Sequence, residues 1–433
     1  MKLPPQFAYR DGTLCIEGVS ATSIAEQFGT PTYVYSKAAL LGAFGQYVDA
    51  LARLATRGGA RVCYAVKANS NLAILGVFAQ AGAGFDIVSG GELQRVIAAG
   101  GRADRVIFSG VGKSQDEMRQ ALDAGIGCFN IESLSEARQL SAVATTAGRQ
   151  APVSLRINPD VDARTHPYIA TGLKESKFGI AYADAIDVYQ EVAAMGGLTI
   201  VGVDCHIGSQ LLDDGPLLDA LDKLIDLIDA LEDRGIAIAH LDLGGGIGIE
   251  YGDEEASGSI DVARYLQRVF ERVDRWRSDR YQGAPIKLLF EPGRSLVGNA
   301  GALVMRTLVL KPGTTKNFAV VDAAMNDLLR PALYDAWHAV VPANEPSSAP
   351  LRTWDIVGPV CESGDWLAHD RALALVEGDV LVCLSAGAYG MVMASNYNSR
   401  PRAAEVMIDG STAHLVRERE TVQQLFAGER LLP

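Results

Sequence analysis

A lysine interrupts a short apolar stretch early in the chain, and its chemistry needs an explanation. Lys67 lies in CYAVKANSN (63–71), and the nearby Val62, Tyr64, Ala65 and Val66 predict a buried strand. Lysine is almost never fully buried without a partner, because removing an unpaired ammonium from water is costly. Either the side chain reaches water along its four-carbon stem, or the amine is used covalently, as in a Schiff base with a carbonyl compound.

Three consecutive glycines close a later apolar stretch, LDLGGGIG (241–248). Glycines at the end of a strand let backbone N–H groups approach an anion closely, and a following helix adds its positive end. The spacing differs from the GxGxxG motif of dinucleotide-binding proteins, so a small phosphate is the better-matched ligand. Ser209, in HIGSQ (206–210), could donate a further hydrogen bond to it. A tight turn that requires positive φ is the alternative explanation for the glycines.

An acid and a base end another apolar run, in EPGR (291–294). A carboxylate at Glu291 that faces a pyridine nitrogen would keep it protonated and make the ring a strong electron sink, as in pyridoxal 5'-phosphate sites. His206 could stack on the ring face, although a core histidine bonded to the backbone is the alternative. A lysine for the aldehyde, glycines for the phosphate, an acid for the nitrogen and an aromatic ring together match this one cofactor.

Apolar, β-branched runs alternate with amphipathic helical stretches between about residues 36 and 295, which is typical of βα units and a parallel sheet. The eight runs are 61–69, 84–92, 105–112, 126–133, 153–160, 199–210, 238–248 and 286–294. Eight units favour a TIM (β/α)8 barrel over a doubly wound sheet, which usually has about five to seven strands. Polar residues or glycines end every run, as expected for a site at the carboxyl-terminal rim of a barrel.

After about residue 296 the pattern changes to short strands separated by turn residues, which indicates a mostly antiparallel β domain. The N-terminal runs GTLCIEGV (12–19) and PTYVYS (31–36) are expected to join it. The segment HAVVPANEPSSAP (338–350) has the composition of an exposed loop.

We therefore predict an α/β plus β protein with two domains, as expected for 433 residues. A barrel over 36–295 binds the cofactor, and a β domain built from 1–35 and 296–433 completes the active site.

The composition limits the possible partners and locations. A net charge of −13 argues against nucleic acid as a partner, and no run of ~20 apolar residues predicts a membrane span. The N-terminal sequence MKLPPQFAYRDG lacks the apolar core of a signal peptide. The six cysteines are far apart without a CxxC pair, which argues against a zinc site or a disulfide framework and fits a reducing cytoplasm. We expect no bound metal.

The chain resembles the alanine-racemase-like (fold type III) pyridoxal phosphate enzymes, and within them the diaminopimelate decarboxylases. The motifs that carry the resemblance are YAVKAN, GFDIVSGGE, HPYIATG, SKFGI, HIGSQ, LDLGGGIG, EPGR, MNDLLRPALY, GPVCESGD and GAYG. The resemblance implies pyridoxal 5'-phosphate as the cofactor, linked to Lys67. The residues that it implies for cofactor binding are Lys67, Asp86, His206, Ser209, Gly245, Gly246, Glu291, Pro292, Gly293, Arg294 and Tyr389.

The reaction implied by the resemblance is decarboxylation of meso-2,6-diaminopimelate to L-lysine and CO2, the last step of lysine biosynthesis. Cys361, in CESGD, is the implied catalytic donor of a proton to the alpha carbon, since a perturbed thiol can exchange protons near neutral pH. A small buried apolar residue is the alternative interpretation of this cysteine. The residues expected to bind the substrate, including its distal carboxylate and ammonium, are Arg294, Arg330, Tyr334, Glu362 and Tyr389.

Other activities are weighed against this one. Ornithine lacks the distal carboxylate and would leave an arginine unpaired, so a decarboxylase of ornithine, arginine or a related amino acid is the less favoured alternative. A non-catalytic protein that binds the cofactor would need none of the CESGD, RPALY and GAYG motifs. Racemases of this fold type tend to place an arginine at the pyridine nitrogen, where this chain has Glu291. The resemblance also implies a homodimer with shared active sites, in which Cys361 and Glu362 come from the partner chain.

Overall fold

A computed structural model describes residues 3–54, 59–162, 177–252, 259–280, 286–345 and 349–433. The chain divides into two compact units. The barrel unit comprises Ala43–Ile249 and Ser257–Ser295, and the β unit comprises Met1–Gly42, Glu250–Ala256 and Leu296–Pro433. The motif HPYIATG (166–172) and the first residue of SKFGI (176–180) lie outside the described residues.

Eight parallel strands form the closed barrel of the barrel unit, which confirms the predicted TIM-barrel fold. In chain order they are Ala60–Ala65, Gly84–Ile87, Val106–Phe108, Cys128–Ile131, Ala151–Asn158, Leu198–Asp204, His240–Asp242 and Lys287–Phe290. Neighbours in the chain pair with one another, and the eighth strand pairs with the first, for example Phe290 with Val62. A short strand, Ile180–Ala181, adds to the edge of the fifth.

Helices follow the strands, as the βα rhythm predicts. The main helices of the barrel region are Lys37–Arg53, Leu72–Gln80, Gly90–Ala98, Gln115–Ala124, Leu134–Thr146, Ala185–Ala193, Gly215–Glu232, Val262–Arg280 and the short Arg294–Val297. Short 3-10 turns lie at Val66–Ala68, Ala103–Arg105 and Tyr182–Asp184. Among the described residues, no helix is both long and apolar enough to cross a membrane.

Three successive helices begin with the same local signal. The hydroxyls of Ser89, Ser114 and Ser133 each accept a hydrogen bond from the backbone N–H of the glutamate three residues later. Such serines satisfy backbone donors that a helix start leaves unpaired, and a glutamate at this position favours the positive end of the helix. In these three units the serine therefore sets the residue at which the helix begins after the strand.

The β unit is a mostly antiparallel sheet, as predicted. Its strands are Thr32–Ser36, Gly301–Lys311, Phe318–Val321, Val340–Pro342, Arg352–Val357, Trp366–Leu373, Val380–Cys383, Ala404–Asp409 and Thr412–Arg417. Among the described strands two pairings are parallel, that of Thr32–Ser36 with Ala404–Asp409 and that of Phe318–Val321 with Arg352–Val357. Its helices are Ala21–Phe28, Arg330–Tyr334 and Val422–Leu425, and 3-10 turns lie at Met391–Met393 and Tyr397–Ser399.

The N-terminal run expected to join the β domain forms the strand Thr13–Ile16 of the β unit, which pairs with Phe7–Arg10 and Val19–Ser20 in a three-stranded sheet of their own. Another segment of the β unit differs from the sequence-based expectation. The predicted exposed loop 338–350 contains the strand Val340–Pro342, which pairs with Val380–Cys383. The HAVV residues at its start (338–341) are buried, and the burial of the apolar Ala339, Val340 and Val341 outweighs the turn-forming residues that follow.

Candidate active site

Lys67 lies at the carboxyl-terminal rim of the barrel, on the 3-10 turn Val66–Ala68 that follows the first strand. The prediction that it lies within a buried strand is therefore wrong, because the strand ends at Ala65 and about a third of the lysine side chain is exposed. Its Nζ forms an ion pair with Oδ2 of the fully buried Asp86, near the end of the second strand. The other oxygen, Oδ1 of Asp86, has no hydrogen-bond partner among the described residues.

The segment that follows the eighth strand lies beside the turn that carries Lys67. The backbone N–H of Ala65 donates to the Pro292 carbonyl at 3.1 Å. A Cβ atom added to Gly293 would lie 3.0 Å from Cβ of Ala68 and 3.1 Å from Cβ of Ala65. The EPGR segment and the lysine turn are thus packed together because residue 293 has no side chain.

The glycine segment adopts a conformation that larger residues would not allow. Gly244 and Gly246 have φ values of 60° and 111°, in the left-handed range that favours glycine. A Cβ at Gly246 would lie 2.5 Å from Cδ1 of Leu211 and 2.7 Å from the Gly208 carbonyl oxygen. At Gly245 it would lie 2.2 Å from the carbonyl oxygen of Glu291. Backbone packing is sufficient to explain these glycines, so their role in phosphate binding stays a prediction.

His206 follows the sixth strand, and its ring is uncharged. Nδ1 accepts a hydrogen bond from the backbone N–H of Gly245 at 3.2 Å, which requires that this nitrogen carry no proton. Burial, together with the positive charges of Arg156 and Lys67, holds the pKa of His206 well below its usual value. A neutral, half-buried imidazole beside the glycine segment can pack against a planar ring without adding charge.

Arg156 and Glu132 form a buried ion pair that supports His206, and sequence reasoning had not assigned them a site role. Nη1 of Arg156 donates to Oε1 of Glu132 at 3.1 Å, and Nη2 donates to the His206 carbonyl at 3.4 Å. The carboxylate also accepts backbone N–H groups of Gly110 and Gly179, each at 3.0 Å. Both residues lie late in predicted strand runs, among the polar residues expected to line the rim, although neither is assigned an individual role from the sequence.

Glu291 lies in a buried cluster with Asp204 and Asp242, which also close their strands. One carboxylate oxygen from each of the three residues lies within 4.8 Å of the others. Burial raises the pKa of Asp242 to about 7, and burial and the neighbouring acids raise the pKa of Asp204 and Glu291 well above their usual values. Among the described residues, Oε1 of Glu291, Oδ1 of Asp204 and Oδ2 of Asp242 have no hydrogen-bond partner. Three buried acids with unpartnered oxygens favour a proton or a cationic group beside them.

The unpartnered oxygens of this acid cluster match the chemistry of pyridoxal phosphate. Its ring nitrogen, when protonated, is a cation that a buried carboxylate such as Glu291 stabilises. The cofactor's aldehyde requires one amine as a nucleophile, and Lys67 supplies it. Asp86 holds this amine on the same rim. The donor set of the barrel therefore fits the cofactor.

Ser209 and Arg294 contact each other on this rim. Arg294 starts the short helix after the eighth strand, and its Nη2 and Nε lie 3.1 and 3.4 Å from Oγ of Ser209. A guanidinium only donates, so the serine oxygen accepts and its own hydrogen can be donated elsewhere. The pair presents positive charge and a hydroxyl donor, which together suit an anion.

The remaining predicted site residues belong to the β unit. Arg330 starts the helix Arg330–Tyr334 and is 6% exposed. Tyr334, at the end of that helix, is half-buried. Tyr389 is also half-buried and has a φ of 55°, uncommon for a residue other than glycine.

Cys361 is exposed, whereas the other five cysteines are buried. The alternative interpretation of Cys361 as a small buried apolar residue is therefore wrong. Glu362 is exposed as well, and one of its carboxylate oxygens accepts a hydrogen bond from the Tyr397 hydroxyl at 3.0 Å. An exposed thiol and carboxylate side by side are accessible to groups outside the β unit.

Comparisons with known proteins identify the family of the chain. Residues 44–298 match the family of the pyridoxal-dependent decarboxylases, in its pyridoxal-binding domain. The chain is 56% identical over 427 residues to the diaminopimelate decarboxylase of Pseudomonas aeruginosa, covering 99% of both chains. It is 55% identical to that of Neisseria meningitidis, covering 96% of this chain and 99% of the other. The crystal structure of the Helicobacter pylori diaminopimelate decarboxylase complexed with L-lysine is similar, with a TM-score of 0.86, 39% identity and coverage of 94% and 98%. The chain belongs to the diaminopimelate decarboxylases of the pyridoxal-dependent decarboxylase family.

Proposed function

We propose that this chain decarboxylates meso-2,6-diaminopimelate to L-lysine and CO2 with pyridoxal 5'-phosphate as its cofactor. The observation that carries the proposal is the buried oxygen of Glu291 that lacks a partner among the described residues, within an acid cluster of raised pKa values. A protonated pyridine nitrogen is the cation that this carboxylate would stabilise. Sequence identity of 56% to a diaminopimelate decarboxylase over nearly the whole chain supports the same activity.

When bound, the cofactor supplies an electron sink for the electron pair left behind when the carboxylate leaves as CO2. Lys67 would bind the aldehyde, with its amine oriented by the carboxylate of Asp86. Glu291 would keep the proton on the ring nitrogen, because its buried carboxylate is stabilised most by a neighbouring positive charge. The neutral ring of His206 would pack against the cofactor and exclude water from that face.

The rim that carries Ser209 and Arg294 is proposed to bind the cofactor's phosphate. The Ser209 hydroxyl accepts from Arg294 and has its hydrogen left to donate to the anion. The backbone of Gly245 and Gly246 can approach the phosphate closely because neither residue has a side chain. Pro292 and Gly293 would connect this anion site to the turn of Lys67, which the 3.1 Å hydrogen bond from Ala65 to the Pro292 carbonyl supports.

The distal end of diaminopimelate decides specificity. We assign Arg330 to its distal carboxylate, since arginine binds carboxylates through two parallel hydrogen bonds. Arg294, Tyr334 and Tyr389 complete the set, and Glu362 accepts from the distal ammonium. The relative from Helicobacter pylori is complexed with L-lysine, which retains this amino-acid end of the substrate.

We also propose a homodimer in which each active site takes Cys361 and Glu362 from the partner chain, with Cys361 donating a proton to the alpha carbon. The exposure of both residues supports this assignment. Mixing Lys67→Ala and Cys361→Ala subunits tests it, because about half of the reassembled dimers are mixed and each has one intact site. Recovery of about a quarter of the wild-type activity is expected for a twofold dimer. Activity that stays at the level of the separate variants contradicts shared sites.

We infer a cytoplasmic location, which the cysteines support. All six are unpaired thiols, five of them buried, and disulfides are rare where the compartment is reducing. Fractionation of cells followed by detection of the protein tests this inference.

The decisive experiment combines a spectrum with a substrate panel. Purified protein loaded with pyridoxal phosphate is scanned for the absorption band of the lysine-bound cofactor, and CO2 release is measured with meso-diaminopimelate and with ornithine. Lys67→Ala should lose the band, while the matched control Lys287→Ala, at the first position of the eighth strand, should keep it. Turnover of ornithine alone would contradict the assigned substrate. A band without turnover of either amino acid would indicate a non-catalytic protein that binds the cofactor.

A further inference from the structure

Arg330 is held by two uncharged aromatic side chains within the β unit. Its Nη1 lies 2.9 Å from Nε2 of His338, and its Cζ lies 4.6 Å from the centre of the Tyr251 ring. The rings of His338 and Tyr251 contact each other edge-on, at 5.1 Å and 78°. The two rings thus form a compact cluster with the guanidinium. A cation over an aromatic face is attracted by the ring's negative face.

The hydrogen bonds determine which nitrogen of His338 carries the proton. Nδ1 lies 2.9 Å from the carbonyl oxygen of Leu384, which can only accept, so Nδ1 must donate. Nε2 faces a guanidinium, which can only donate, so Nε2 must accept. Both contacts are satisfied by a single form, the neutral imidazole with its proton on Nδ1. A histidinium would direct an N–H group at the N–H of Arg330.

The position of His338 itself is fixed by its surroundings. The residue is fully buried, in the segment that sequence analysis interpreted as an exposed loop. Nη2 of Arg371 donates to the His338 carbonyl at 2.9 Å, and the Arg371 guanidinium lies 4.4 Å from the centre of the Trp337 ring. The imidazole therefore has little freedom to follow a displaced Arg330, and the arginine must adjust to it.

We propose that His338 is a positioning residue for substrate recognition, and that with Tyr251 it orients Arg330 toward the substrate's distal carboxylate. The proposal rests on the proposed role of Arg330 in binding that group. Because His338 and Tyr251 are uncharged, neither of them cancels the charge of the guanidinium that they orient. An arginine so fixed loses less conformational freedom when it binds a carboxylate, which raises affinity for ligands that carry one.

Two inhibitors that differ only in that carboxylate provide the test. L-lysine retains the distal carboxylate, whereas cadaverine lacks it, so the ratio of their inhibition constants against diaminopimelate turnover isolates this contact. His338→Phe keeps an aromatic ring but loses both hydrogen bonds. In this variant the inhibition constant of L-lysine should rise about 10-fold, as expected for a lost hydrogen bond to a charged group. The inhibition constant of cadaverine should change less than about 2-fold. His338→Gln can donate to Leu384 and accept from Arg330 with its amide, and should retain most of the discrimination.

Controls separate this inference from the role of Arg330 and from general damage. His369→Phe changes a histidine of the same unit that contacts Asp355 instead, and should leave the ratio unchanged. Arg330→Gln should abolish the discrimination. If Arg330→Gln abolishes it and His338→Phe leaves it intact, the positioning role is overturned while the role of Arg330 stands. If neither variant alters the ratio, the proposed carboxylate site at Arg330 is overturned as well.

A further variant covers the case in which His338→Phe does not fold. Tyr251→Leu removes the ring beneath the guanidinium and leaves the bond to His338 in place, and it should also raise the L-lysine to cadaverine ratio of inhibition constants. An unchanged ratio in this variant overturns the proposal.

Discussion

Replacing Asp242 by asparagine should stabilise the cofactor-free protein, and the gain should increase with pH. Asp242 is fully buried beside Asp204 and Glu291, and burial raises its pKa from 3.8 to about 7. Since the folded state binds a proton more tightly than the unfolded state, this group's contribution to stability is complete below about pH 4. It is lost as the pH rises toward 7. Asparagine retains an oxygen for the backbone N–H of Gly244, now 2.9 Å from Oδ1, and adds a donor for its acidic neighbours.

The size of the effect follows from the shift. Between pH 5.5 and pH 8 the unfavourable contribution of Asp242 grows by about 2 kcal/mol, at about 1.4 kcal/mol per pH unit until the folded-state pKa is reached. For a barrel unit of about 250 residues, this corresponds to a change of about 4 °C in melting temperature.

Differential scanning calorimetry of the cofactor-free wild type and Asp242→Asn at pH 5.5 and pH 8 measures this difference. The matched control is Asp219→Asn, an exposed aspartate on the helix Gly215–Glu232, which should show no such trend. Loading with pyridoxal phosphate should reduce the advantage of the asparagine, because a protonated ring nitrogen supplies the positive charge that the acid cluster favours. A melting-temperature difference that is the same at both pH values would refute the reasoning.

Three further predictions test other parts of the chain. Gly246→Ala should weaken cofactor binding at least about tenfold in an equilibrium titration, since its φ of 111° disfavours a side chain; Gly45→Ala, where an added Cβ meets nothing within 4 Å, should not. Glu132→Gln should destabilise the protein by about 3 kcal/mol or more in thermal unfolding, because it removes the carboxylate paired with the buried Arg156. A variant that melts at the same temperature as the wild type would contradict this. Cys361→Ala should lower kcat while leaving the cofactor's absorption band unchanged, so unaltered turnover argues against its role as proton donor.

The local sequence was sufficient to predict the barrel. Most βα units carry their own apolar run and their own helix, and several carry a serine cap, as at Ser89, Ser114 and Ser133. These signals are short-range, so they can be read without knowledge of the fold. The cofactor class could be predicted for a related reason, because lysine, glycines and an acid at strand ends must meet at one rim once the barrel closes.

The tertiary structure alone decided how those residues are supported. Asp204 and Asp242 are 38 positions apart by their numbering and form a cluster with Glu291 only because their strands lie side by side. His338 is in a segment whose prolines and serines predict exposure, yet it is buried against Leu384 and Arg330. Periodicity and composition report what one segment prefers, whereas burial, pKa and hydrogen-bond direction depend on the neighbours that the fold supplies. The sequence by itself determined the barrel and the cofactor's class, and the packing of distant segments determined the charge state of the acids and the proton position on His338.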